Sequence, residues 1–333
     1  MRVLVTGGAG YVGSVTVEHL LATGHAAWVL DDLSTGHAAA VAEGATLIRA
    51  TYADGDALTR LLRDSSIEAI LHCAARSLVG ESIREPSTYY RANVVGGVAL
   101  LEAARAAGVA RFVFSSTAAV YGVPAVSPIT ESTPLDPINP YGETKRTFEA
   151  ALRWYGAAYG LRSLSLRYFN VAGATERNGE DHDPETHLIP SILAAASSGR
   201  PLALFGDDYP TPDGTPIRDY IHVEDLADAH LRALEATGAP ISAGDEPASQ
   251  LNLGTGSGFS MREVLHAAEA AVGRPIAHTI GPRRAGDPPI LVASAERARA
   301  ALGWRPARSA LAEMIGSAWR WRQDHPGGYA GSR

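Results

Sequence analysis

Residues 1–13 read MRVLVTGGAGYVG, and this stretch decides the fold. Val3–Thr6 is a short apolar run of the kind that forms a buried parallel strand. Gly7, Gly10 and Gly13 follow at once and lead into the helical pattern Tyr11–Ala22. In a strand–turn–helix unit, glycines at this spacing allow a tight turn, close backbone approach to a pyrophosphate and close helix packing. The free N–H groups at the start of the helix then face the phosphate charge. A glycine-rich turn alone also fits a purely structural turn, so the flanking elements carry the argument.

Asp31 provides the next mark, 18 residues beyond Gly13, where the second apolar run Ala27–Asp31 ends. A carboxylate there accepts hydrogen bonds from the adenosine ribose and repels a 2′-phosphate. No Arg or Lys stands between Asp31 and Ala42, so the expected cofactor is NAD and not NADP. Further strand-like runs occur at Ala69–His72, Arg111–Ser115 and Leu164–Tyr168, alternating with helix-like stretches at Pro86–Ala107 and Tyr141–Tyr159. Gly24, Gly108 and Gly160 each fall between a helix and the next strand. The expected class is α/β: a Rossmann-type doubly wound parallel sheet with a smaller α/β substrate-binding domain.

Beyond residue 170 the texture changes. Loops rich in Pro, Gly and Asp (171–187, 206–216, 281–289) separate shorter elements, and Ser260 with Glu263 resembles a capping box opening a helix at Met261–Val272. The expected division is a cofactor domain over 1–170, joined again by about 217–255, and a ligand domain over 171–216 and 256–333. Bulk properties narrow the partners. A formal net charge of −7 with no long basic run argues against nucleic acid and acidic membranes. The single cysteine, Cys73, excludes an internal disulfide and fits a reducing compartment. With no signal-peptide pattern and no apolar run of about 18 residues, the cytoplasm is the default location.

Tyr141-Gly142-Glu143-Thr144-Lys145 places a phenol and an ammonium at i,i+4 on one helix face. An ammonium nearby lowers the pKa of a phenol, which lets tyrosine act as a base. Ser115-Ser116-Thr117 ends the preceding strand with hydroxyls that reach the same mouth. By itself the Tyr/Lys spacing is common on surface helices; the cofactor turn and hydroxyl cluster upstream give it meaning. His72, His182, His222 and His230 lack paired metal-ligand spacing and are expected to pack or face solvent, with no metal bound. Trp304, Trp319 and Trp321 are expected in the core or at an interface, and Cys73 as a small packing residue.

The chain resembles the extended short-chain dehydrogenase/reductase superfamily, and within it the UDP-glucose 4-epimerase branch. The marks run nearly end to end: TGGAGYVGS from Thr6, VGES (79–82), FSSTAAVYG (114–122), NPYGETK (139–145), RYFNVAG (167–173), the long run 208–230, and PRRAGD (282–287). The resemblance implies interconversion of UDP-galactose and UDP-glucose through a 4-keto sugar on tightly held NAD, in a homodimer. It implies that Thr117, Tyr141 and Lys145 are catalytic. It places Gly7, Gly10, Tyr11, Val12, Asp31, Asp32, Ser34, Thr35, Gly36, Thr51, Tyr52, Cys73, Ala74, Ala75, Ser77, Asn93, Ser115, Tyr168 and Phe169 against the cofactor. Tyr141 and Lys145 also face it. Thr117 and Tyr141 join Asn170, His187, Leu188, Ala203, Phe205, Arg218, Tyr220, Arg284, Asp287 and Leu291 on the UDP-sugar side.

Some positions depart from that pattern. Thr51-Tyr52 replaces an acid that often contacts the adenine amine. Arg76-Ser77 displaces by one position the lysine that commonly faces the phosphates, and His187 replaces a frequent Asn. Incomplete NAD occupancy is the expectation. Ala118 and Ala119 follow Thr117 where sugar-nucleotide dehydratases carry an acidic pair, so elimination chemistry is disfavoured. Epimerases of UDP-N-acetylhexosamines or UDP-pentoses, a dehydrogenase-like relative and a silent NAD-sensing regulator remain as alternatives. Leu291 aligns with a position where a bulky Tyr commonly borders the sugar pocket.

Overall fold

The computed structural model describes residues 1–238, 249–283 and 287–329. Its first half alternates as the sequence implies. The order is β1 (Arg2–Thr6), α1 (Tyr11–Ala22), β2 (Ala26–Asp31), β3 (Thr46–Arg49), α2 (Gly55–Asp64) and β4 (Ala69–His72). Then come α3 (Val79–Arg84), α4 (Pro86–Tyr89), α5 (Gly97–Ala107), β5 (Arg111–Ser115), α6 (Pro140–Tyr159) and β6 (Arg162–Tyr168). The second half holds β7 (Asn170–Ala172), α7 (Leu188–Ser198), β8 (Leu202–Phe205), β9 (Ile217–His222), α8 (Val223–Ala236) and β10 (Gln250–Leu253). It ends with β11 (Gly258–Ser260), α9 (Met261–Val272), β12 (His278–Gly281), β13 (Ile290–Leu291), α10 (Glu296–Leu302) and α11 (Leu311–Asp324).

Seven parallel strands form the large sheet in the order β3-β2-β1-β4-β5-β6-β10. The order reverses between β1 and β4, and a doubly wound sheet binds its ligand in the crevice outside the strand ends at that point. One face packs Val3, Val5, Val17, Leu20, Leu226, Leu234 and Trp304 under α1 and α8. The other packs Leu4, Ile70, Leu100, Phe112, Phe114 and Phe148 under α2, α5 and α6. At about 25 cal/mol per Å² of apolar surface removed from water, these two layers dominate the folding free energy.

The smaller half has its own core of Ile192, Leu193, Val264, Leu265, Met314 and Ile315 between α7, α9 and α11. Its sheet is built around β9, which pairs with β7, β11 and β13, while β8 and β12 form a separate parallel pair. Segment 217–255 therefore serves both halves: β9 lies in the smaller sheet, and β10 closes the edge of the large one. Buried Asp219 ties them together, accepting from the N–H groups of Thr255, Gly256 and Ala293.

Local readings hold closely. Gly108 and Gly160 end α5 and α6 in left-handed conformations, and Ser260 and Glu263 close a reciprocal capping box on α9. Pro86–Ala107 differs from the continuous α-helix its periodicity suggests. A π-helical segment at Tyr90–Gly96 interrupts it, a wider turn that periodicity does not reveal. Among the described residues no helix is long and apolar enough to cross a membrane.

Candidate active site

The glycine turn lies at the β1/β4 switch point. Gly7 adopts φ +72°, and a Cβ there would stand 2.5 Å from the backbone nitrogen of Ala74. Gly13 is tighter still, since its Cβ would meet the Gly7 carbonyl oxygen at 2.1 Å. At Gly10 the nearest atom to an added Cβ is the Gly7 oxygen at 3.4 Å, which leaves the approach to the turn open. No side chain caps α1, so its first N–H groups remain available to an anion. Around the turn, the Ala74 N–H donates to Thr6 O, and Gly36 lies against Ala9 while the His37 N–H donates to Ala9 O. The fold thereby brings Ser34–Gly36 and Cys73–Ala75 to one rim.

Asp31 is partly buried at the end of β2, accepting from the N–H groups of Ala9 (3.0 Å) and Leu33 (2.9 Å). Burial raises its carboxyl pKa against the lowering effect of those two bonds. Asp32 accepts from the Ser34 N–H. One feature escapes a linear reading: Arg49, exposed at the end of β3, stands in register with Asp31. The 31–42 window holds no cation, but the sheet supplies one beside it. An uncapped glycine cradle with an acid at the end of β2 fits a dinucleotide.

At the ends of β5 and α6 the second cluster forms. Asn139 caps α6 by accepting from the Gly142 N–H, which fixes where the helix starts and so the placement of Tyr141 and Lys145 in its first turns. The Thr117 hydroxyl is near enough to Tyr141 to act on its phenol. Lys145 is buried, donates from Nζ to Ser115 O at 2.7 Å and sits 4.6 Å from the Phe114 ring centre and 5.9 Å from that of Tyr141. Burial pulls the Lys145 ammonium down to about 8. Burial raises the Tyr141 phenol, and the Thr117 hydroxyl opposes it. Burial is thus the larger influence on Tyr141, while Lys145 is directed to the Ser115 carbonyl and the Phe114 ring.

In the smaller half, Arg218 on β9 donates to Asp287 at 2.5 Å and to the Ile217 and Pro288 carbonyls. Asp287 also accepts from the Tyr209 hydroxyl. Asn170 and Tyr220 are neighbours in the β7–β9 register, and Leu291 pairs with Arg218 across β13–β9. Leu291 packs with Val120, Tyr121, Ile129 and Phe169, so the smaller half touches the loop after Thr117.

The model of the NAD dependent epimerase/dehydratase family matches residues 3–244. The chain belongs to that family. It is 48% identical over 332 residues to the UDP-glucose 4-epimerase of Lactobacillus helveticus, covering 99% of each chain. A solved UDP-glucose 4-epimerase superposes with a TM-score of 0.95 at 46% identity, covering 99% of both chains. The Brucella ovis UDP-glucose 4-epimerase, solved in complex with NAD, gives 0.89 at 44% identity over 96% of this chain and 97% of that one. Like its family, this enzyme is NAD-dependent.

Other residues carried over from the epimerase pattern take several places. Asn93 lies in the π-helical segment, where it accepts from the Arg76 N–H and donates to Arg76 O and Thr144 Oγ1. It thereby fixes the loop bearing Ser77 against α6. Tyr52 donates to Ala92 O and packs edge-on to His72, while Thr51 is exposed beside it. Leu188 packs on the core of the smaller half, and Ala203 and Phe205 lie on β8. Arg284 lies outside the described residues.

Buried polar groups behind the site were not legible. Glu149 and Arg167 pair at 2.5 Å, Ser116 donates to Glu149, and Arg167 reaches the Tyr121 hydroxyl, which donates to Asn252. This network braces the Ser115–Thr117 turn from α6, β6 and β10. His230 Nδ1 must donate to Leu226 O, so its Nε2 accepts from Ser115 Oγ at 2.7 Å. Ser115 has no second proton to give, so the Cys73 thiol, 3.3 Å away, is the donor of that pair. Burial pushes the Cys73 thiol up to about 11, which keeps it protonated and supports a packing role.

His182 is partly buried, as a packing or surface residue would be. The loop before α7 gathers it with Glu180, Glu185 and His187. The signal in the sequence is the spacing of those four residues within 180–187, which a search for paired histidines alone passes over. Burial lowers the His187 pKa, but Glu180 and Glu185 more than reverse this and hold it up to about 10.

Proposed function

We propose that this enzyme is a UDP-sugar 4-epimerase whose first pair is UDP-galactose and UDP-glucose. The observation that carries this reading is the convergence of Thr117, Tyr141 and Lys145 at the crevice beside the glycine turn. Tyr141 takes the proton of the sugar 4-hydroxyl while Thr117 holds the same oxygen through its own hydroxyl. NAD, when bound, would supply the hydride acceptor and a positive charge that favours the phenolate. Lys145 is the only buried ammonium by that tyrosine among the described residues, and the Ser115 carbonyl holds it there. After hydride leaves C4, the 4-keto sugar turns over about its diphosphate link. Return of the hydride to the opposite face, with Tyr141 giving back the proton, yields the epimer and no net redox change.

Arg218 suits a diphosphate because guanidinium binds such oxygens in pairs, and Asp287 holds it ready. The cofactor half is 1–170 with the α8–β10 return, and the sugar half is the remainder. Ala118 and Ala119 leave no acid beside Thr117 for removing water. A second reading, activity on UDP-N-acetylhexosamines, is favoured by Leu291 in the pocket wall. The assembly is a homodimer, and exposed Ile83, Tyr90, Val95 and Trp154 on neighbouring helices suit such an interface. Incubation with a panel of UDP-sugars, with products separated, tests the reaction. The expected result is 4-epimerisation of the glucose pair with extracted NAD(H); absence of any 4-epimer product overturns it.

A further inference from the structure

The loop between β7 and α7 gathers four metal-ligating side chains, of which only His187 is among the residues that the resemblance places on the UDP-sugar side. Glu180, His182, Glu185 and His187 each present one donor atom within 4.8 Å of the other three. His187 Nδ1 lies 2.6 Å from Glu180 and 3.5 Å from Glu185, and His182 Nδ1 lies 3.3 Å and 3.8 Å from the same two. Zinc bonds of about 2.0–2.2 Å in a tetrahedron set donors about 3.3 Å apart. The four donors already scatter around that spacing.

Three further observations separate this group from an ordinary surface ion-pair cluster. His182 Nδ1 is shielded from solvent and, 3.3 Å from Glu180, makes no well-aligned hydrogen bond, so it can take a further partner within the cluster. Glu185 is fixed, since Oε1 accepts from the N–H groups of Thr186 and His187, each at 2.7 Å. The loop is anchored from both halves: His37 Nε2 of the cofactor half donates to Asp181 O at 3.1 Å, and the Tyr329 N–H near the C-terminus donates to Asp181. With both imidazoles neutral the cluster carries two negative charges, which one divalent cation balances.

We propose that Glu180, His182, Glu185 and His187 bind one divalent transition-metal ion, with zinc the best match to two nitrogen and two carboxylate donors. The ion clamps the 180–187 loop to the start of α7, where His187 is the N-cap. It is a structural site, closed by four protein ligands. It stands on its own geometry and does not depend on the reaction assigned above.

The test uses untagged full-length protein, dialysed against EDTA, and titrates it with ZnCl2 by calorimetry. One equivalent should bind, with release of protons displaced from the imidazoles, seen as a dependence of the heat on buffer ionisation. His182→Ala should weaken binding at least tenfold. Glu185→Gln, which keeps an oxygen for the two backbone N–H groups, should weaken it by a comparable factor. X-ray absorption on the zinc-loaded protein should show two imidazoles in wild type and one fewer in His182→Ala. No saturable binding, or equal affinity in wild type and both variants, overturns the proposal by leaving zinc unbound or elsewhere. Circular dichroism melts of the metal-free variants confirm that the fold persists.

Discussion

Around Gly7–Gly13 the backbone sets every position that matters: a positive φ, two approaches no Cβ could share, and an uncapped helix start. Across the cleft the corresponding work is done by long side chains on short strands, with Arg218 held by Asp287 and Tyr209. Backbone geometry tolerates almost no change of residue type, so it writes itself into spacing. Side-chain geometry can be met by many sequences, so it is legible only through kinship. Between the two lies the Thr117–Tyr141–Lys145 cluster, spaced by a helix but tuned by burial.

The largest break in that comparison comes from removing the Tyr141 hydroxyl from the cluster between them. Tyr141→Phe should lower kcat by ~10²–10⁴, the usual cost of losing a general base, while leaving NAD binding intact. Residual activity above a tenth of wild type would exclude Tyr141 as the base. Thr117→Ser keeps a hydroxyl and should be mild, whereas Thr117→Val should slow turnover severely. Steady-state rates on UDP-galactose settle both.

Burial also sets a pH limit. Burial is the first cause that holds His72 down to about 3, with Lys145 adding to it. Burial likewise holds His222 and His230 to about 4, Arg308 assisting at His222. Unfolded, all three take up protons near pH 6.5, which the folded chain refuses. Stability from these groups is therefore full above pH 6.5 and is lost as pH falls towards 4, by on the order of 3 kcal/mol for each group. Urea midpoints should drop steeply between pH 6.5 and 4.5. A flat profile across that range would show that these rings are not held neutral.

A smaller effect probes the rim of the crevice. Asp31 should reject the 2′-phosphate of NADP, and Arg49 stands in register beside it. Asp31→Ala should therefore narrow the NAD preference by roughly ten- to a hundredfold in Kd, because a like charge is lost and a cation remains. Adding Arg49→Ala should take back most of the NADP gain. If Asp31→Ala still discriminates as wild type does, the choice of cofactor lies elsewhere on the rim.

Arg49 also shows where sequence reading stops. Glycine spacing, the i,i+4 pair and the helix caps are local, with periods that a linear scan detects, and they fall where expected. Register between strands is not local, so the neighbour of Asp31 came only with the sheet. The π-helical segment under Asn93 leaves helical periodicity nearly unchanged, and the Glu149–Arg167 pair joins two elements with no spacing signal. The i,i+4 spacing of Tyr141 and Lys145 likewise gives no hint of the Ser115 carbonyl that Lys145 reaches from the preceding strand.

The mildest prediction asks whether the side-chain half sets the choice of sugar. Leu291 is half-buried, in register with Arg218, and packed with Val120, Tyr121, Ile129 and Phe169. It therefore lies between the proposed diphosphate partner and the loop that carries Thr117. A phenol there would extend the wall by several heavy atoms towards the cleft, whereas leucine ends short of it. Discrimination by one such wall is worth about 1–3 kcal/mol, and the shared UDP contacts leave binding otherwise unchanged. Wild type should therefore interconvert UDP-GlcNAc and UDP-GalNAc as well as the glucose pair. Leu291→Tyr should cut the N-acetyl kcat/KM about tenfold relative to the plain hexose. Packed neighbours can also refill space, and in that case the ratio would not move on substitution. Measuring kcat/KM on both pairs in both proteins decides between a wall set by residue 291 and one set by the residues around it.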